Sequence, residues 1–204
     1  MRIHNRILLA LSLVVLAACG SARDQAAPEL VTRAAFSDAS PPSITLYTVI
    51  NTRTGAGGHS ALMVNGSQRV VFDPAGSWFH RTAPMRGDVI YGFTPSHEEL
   101  YVDYHARETH YVVMHNLPVS AEQAERLLQI VMANGRVGNA MCAQAVSGVL
   151  IQGGFSGISR TWYPVQLMDQ FKQFPGVTER KYFDDSPADN RRLLLTQQAL
   201  LVEN

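Results

Sequence analysis

The sequence predicts an α+β domain built on an antiparallel sheet, and three observations carry that reading. Short β-branched and aromatic runs fill residues 44–115, the composition of strands. Asn65-Gly66 separates two of them as a hairpin turn. Helical signals come mostly afterwards, so the strands precede the helices rather than alternating with them. In order, Ile44–Ile50 (ITLYTVI) is a strand and Gly55–Gly58 a loop. Ser60–Val64 and Arg69–Phe72 form the hairpin around Asn65-Gly66, and Asp88–Phe93 and His110–His115 are two more short strands. Ser120-Ala-Glu-Gln123 is a capping box, and Asn134-Gly135 a stop, for a helix over 120–134. A second helix covers about 140–151 and ends at Gly153-Gly154, while Pro164 suits the first turn of a third that runs to Phe171. Thr178–Phe183 reads as a last strand, and the leucines of Asp189–Val202 as a terminal helix.

Length and charge narrow the function. A chain of 204 residues is one domain with a tail, and 46% hydrophobic with 17% charged residues excludes coiled coils and collagens. Seventeen basic against 17 acidic residues leaves no basic surface for nucleic acid. Arg2 and Arg6 precede the apolar run ILLALSLVVLAA at 7–18, which is too short to span a bilayer and has the form of a secretory signal. Leu16-Ala17-Ala18-Cys19-Gly20 resembles the bacterial lipobox, in which the cysteine becomes lipid-modified. That places the chain at the cell envelope, on the periplasmic face of the outer membrane, with Cys19 as its membrane lipid anchor. The expected plan is a signal segment over 1–18, lipidated Cys19 with a flexible tether over 19–43, a domain over 44–183 and a helical tail over 184–204.

Cys142 is the one cysteine outside the lipobox. With Asn139 as N-cap it falls in the first turn of a helix, where the dipole and unpaired N–H groups favour a thiolate and supply oxyanion donors. The alternative is a small buried hydrophobe. His59 follows Gly57-Gly58 at a strand start, and the Asn65-Gly66 hairpin brings it opposite about residues 72–74. Asp73 is thereby placed to orient the imidazole, provided the register does not slip by one residue.

Gly58-His59-Ser-Ala-Leu-Met-Val, followed much later by Asn139-Ala-Met-Cys142 opening a helix, resembles the circularly permuted NlpC-type papain-like hydrolases, the branch that includes lecithin:retinol acyltransferase. In that branch the histidine strand precedes the cysteine helix, as here. The resemblance covers residues 44–170 and implies a papain-like fold with Cys142 as nucleophile, His59 as base and Asp73 as orienting residue. Two departures argue against retinol-type activity. Cys142 is followed by Ala143-Gln144 instead of Glu-His, and Phe72-Asp73 stands where the third residue is often histidine.

The remaining residues call for no metal and no cofactor. His105, His110 and His115 are five apart, which aligns them on no single face, and His97-Glu98-Glu99 lacks the zinc-peptidase spacing. His80 is expected at the surface, and Trp78, Trp162 and Tyr163 either line a groove or fill core. The functional expectation is a cysteine hydrolase that forms a thioacyl-enzyme on a peptide or amide substrate, with cell-wall material in reach. Two alternatives stand beside it: a non-catalytic lipoprotein that binds a ligand or partner, and a lipid acyltransferase or thiol esterase acting on an acyl substrate.

Overall fold

The computed structural model describes residues 25–201. The signal segment and Cys19 lie outside the described residues. Thirteen elements follow in order: α1 Pro28–Ala34, β1 Ser43–Asn51, β2 Gly57–Asn65, β3 Arg69–Phe72, β4 Met85–Arg86, β5 Val89–Ile90, α2 Pro95–His105, β6 His110–Pro118, α3 Ala121–Asn134, α4 Cys142–Gln152, α5 Pro164–Phe171, β7 Thr178–Tyr182 and α6 Arg191–Gln197. The strands make one antiparallel sheet in the order β4-β5-β3-β2-β1-β6-β7. Among the described residues no helix is long and apolar enough to cross a membrane.

Side chains alternate across the sheet, and both faces are covered. Ile44, Leu46, Leu62, Val64 and Phe72 point to α3, α4 and α5, where Leu127, Val146, Leu150 and Phe171 close a first core. Tyr47, Val49, Ala61, Met63 and Val71 point the other way, to α2 and to Trp78, Phe93 and Tyr101. Two buried faces explain why Ile44–Ile50 has few polar positions: every residue of that stretch is buried.

Three expectations need correction. The strand expected over Asp88–Phe93 is reduced to Val89–Ile90. Gly87 (φ 59°) and Asp88 (φ 62°) form a two-residue turn between Arg86 and Val89, and Gly92 (φ 67°) ends the run. The tether is not free of the domain over its described part. Pro28 starts α1, Val31 packs on the first core, and the Asp38 carboxylate pairs with buried Arg69 at 2.6 Å. Finally, α2 arises where no element was expected, from Thr94 as cap and Pro95 in the first turn. The tail docks against this helix. The Gln197 amide donates to Leu100 O (2.9 Å) and Asp103 (3.0 Å), and accepts from Trp78 Nε1 at 3.1 Å.

Candidate active site

His59, Asp73 and Cys142 come together where three elements end. The β1–β2 register slips between Val49 and Ile50, a bulge that sets the strand's direction at Gly58-His59. Along β2, β3 pairs only with Leu62–Asn65, so it stops short of His59–Ala61. Asp73 follows β3 directly and is held by a turn in which Gly76 N–H donates to Asp73 O (3.0 Å). Cys142 is the first residue of α4. Its preceding residue, Met141, provides no side-chain cap, so Asn139 does not fill the expected capping role. Ala140 lies in the left-handed region (φ 61°), which turns the chain sharply into the helix.

The three side chains lie in one series. His59 Nε2 lies 2.6 Å from Asp73 Oδ1, and Cys142 adjoins the same imidazole. Burial opposes a charge on His59, but the Asp73 carboxylate and then Cys142 outweigh it and raise the imidazole to about 10. Burial likewise raises the Cys142 thiol. The hydrogen bond and charge of His59, with backbone N–H groups of Ser60 and Ala143, overcome this and hold the thiol below its ordinary value. For Asp73, burial again acts upward and His59 prevails, keeping the carboxyl below the usual range. All three shifts favour a thiolate–imidazolium pair on a buried carboxylate.

Residues that the sequence reading passed over brace this series. Tyr101 of α2 donates its hydroxyl to Asp73 Oδ1 at 2.8 Å. His105, one turn on, donates from Nδ1 to Tyr101 O (2.7 Å) and lies parallel to His59, with 5.7 Å between ring centroids. Asp88 ties the loops together: its carboxylate accepts from Val137 N (2.7 Å) and Ala75 N (3.4 Å), and its carbonyl accepts from Asp73 N (2.8 Å). Asp73 Oδ2 is buried, finds no hydrogen-bond partner among the described residues, and faces Gly76. A Cβ at position 76 would fall on that oxygen. Gly76→Ala is therefore expected to displace the carboxylate, cost about 2 kcal/mol in a urea titration and slow Cys142 alkylation at pH 6. Gly55→Ala, which meets nothing within 4 Å, should leave that alkylation rate as it is.

A cavity of about 250 Å³ opens beside His59, lined by Ser77, Tyr104, Arg107, His110 and, from the tail, Asn190. Another of about 250 Å³ lies across the Ala75–Ser77 loop and reaches Asn139. His80 is not at the surface. It is 3% exposed, hydrogen-bonded to Thr82 (2.8 Å) and Gln197 O (2.9 Å). Trp78 is core, whereas Trp162 and Tyr163 are exposed. Among the described residues no group of three or more His, Cys, Asp or Glu is placed to hold a metal ion. No protein-family model, curated protein or solved structure matches this chain.

Proposed function

We propose that this chain is an envelope-anchored cysteine hydrolase of the permuted papain-like kind, lipid-modified at Cys19 and acting on amide or peptide bonds. The observation that carries the reading is the Asp73–His59–Cys142 series at a helix start, in the chain order of the permuted branch. The Cys142 thiolate attacks the substrate carbonyl carbon, an S–C bond forms, and the charge on oxygen is met by N–H groups at the start of α4. Collapse breaks the C–N bond, and the leaving amine takes the proton from the His59 imidazolium. Water then attacks the thioester, gives its proton to His59, and the C–S bond breaks to restore the pair. Cell-wall peptide is the substrate that the envelope location favours.

The polar lining of the His59 cavity favours an amide over a long acyl chain, which supports hydrolase over lipid acyltransferase. The deciding experiment is the rate of Cys142 alkylation against pH, in the native protein and in His59→Ala. Native Cys142 should react well below the pH at which an ordinary thiol ionises, and the variant should lose that low-pH reactivity. A thiol that titrates in the ordinary range in both proteins would overturn the hydrolase and leave a binding lipoprotein.

A further inference from the structure

The cavity beside His59 has a one-sided charge. No aspartate or glutamate lines it, while Arg107 and His110 do. These two residues face each other across a tight turn, with Arg107 N–H donating to His110 O and His110 N–H to Arg107 O, both at 2.8 Å. A pair joined by both bonds projects its side chains to the same side. The His110 ring also sits against Gly58: a Cβ there would lie 3.6 Å from His110 Cδ2 and Nε2. The pair therefore adjoins the histidine that would protonate a leaving group.

Arg107 lacks the partner that a partly enclosed guanidinium normally has. Its side chain makes no hydrogen bond or ion pair among the described residues, and its Nε is buried and unsatisfied. Arg69, a buried arginine, is gripped by Asp38 and Glu98 together. The acids near Arg107 are engaged elsewhere. Glu108 accepts from Ala188 N–H at 3.2 Å, Asp189 is clasped by Arg191, and Asp73 serves His59 and Tyr101. His110 Nδ1 lies 2.9 Å from the Thr109 hydroxyl, and in the tautomer where that hydroxyl donates the ring proton sits on Nε2, which makes no hydrogen bond among the described residues. A guanidinium and an imidazole N–H, side by side and without an internal acceptor, fit one planar anion.

We infer that Arg107, with His110 beside it, binds a substrate carboxylate in the cleft next to His59, so that the enzyme selects amide bonds close to a free carboxylate. This inference rests on the hydrolase reading and narrows its substrate class. The cavity volume supports a short polar group, since sites for larger ligands begin at about 300 Å³. A carboxylate, such as the one ending a peptide, matches the single fork of an arginine.

The test compares two alkylating probes of the same length, iodoacetylglycine and its neutral amide iodoacetylglycinamide. In both, the thiolate displaces iodide from the iodomethylene carbon, so only the distal charge differs. The ratio of carboxylate to amide rates should fall about tenfold in Arg107→Gln, the size of one charge-assisted hydrogen bond. Arg107→Lys should recover part of the ratio, because it keeps the charge and loses the fork. A general disturbance of the site would slow both probes together and leave the ratio where it was. An unchanged ratio in Arg107→Gln overturns the carboxylate site whatever the absolute rates are. Low absolute rates that ignore His59 would instead overturn the hydrolase, so the two failures are distinguishable.

Discussion

Asp73→Asn will slow alkylation of Cys142 at pH 6 by about 100-fold, because an opposite charge this close is worth roughly 10- to 1000-fold in a protonation equilibrium. The carboxylate touches His59 Nε2 at 2.6 Å inside the protein, where little water screens it. With asparagine in its place the ring keeps an acceptor but loses its counter-charge, so the proton returns to sulfur and the reactive thiolate becomes a minor species. The pH profile separates this cause from a packing defect. Above the pH at which an ordinary thiol ionises, the variant and native rates should converge, since the thiolate then forms without help from His59. A defect that merely displaced Cys142 would depress the rate at every pH. Equal rates at pH 6 would show that Asp73 contributes nothing to the pair.

The site was legible in the sequence to the extent that its parts are fixed by local rules. Asn65-Gly66 sets the hairpin closely enough to bring Asp73 to His59. The Cys142 helix was expected over about 140–151 and runs Cys142–Gln152, although the Asn139 cap expected at its start is not used. The site's bracing was hidden because it comes from α2, whose buried stripe of His97, Tyr101, Val102, Tyr104 and His105 is made mostly of histidine and tyrosine instead of aliphatic residues. Hydropathy periodicity marks a face only where its residues are apolar, so this stripe left no signal. The Thr94-Pro95 start, with Glu98 in the first turn, was the cue available. Asp88 was hidden for another reason. Gly87-Asp88 is a hairpin turn joining two-residue strands, too short for alternation to register, so Asp88 was read as the start of a strand.

Stability should fall as pH drops below about 6.5. His97 and His105 are each lowered to about 4, chiefly by burial. A histidine whose folded value lies below its ordinary 6.5 stabilises the fold above 6.5, and that contribution disappears as pH falls through 4. Each would account for ~3 kcal/mol at full protonation. His59 has the opposite sign. Raised to about 10, it contributes fully below 6.5 and progressively less as pH rises through 10, and the lowered Cys142 thiol offsets that loss up to the pH at which an ordinary thiol ionises. The acid loss has a structural route. Thr94, His97, Thr82, His80 and Gln197 O form one chain of hydrogen bonds of 2.8–2.9 Å. Each neutral ring has one donor and one acceptor in that chain, which ends on the docked tail. A proton on His97 Nδ1 would face the Thr94 backbone N–H, which donates to that nitrogen at 3.3 Å. The chain would then break at its start, where His97 and Thr94 cap α2. Urea midpoints measured from pH 8 to pH 4 should therefore drop mainly between 6 and 4.5. His97→Gln should flatten that limb in part, because His105 and the other rings lowered by burial, His80, His110 and His115, keep their share. A native midpoint that stays level down to pH 4.5 would show that these rings are not held neutral by the fold.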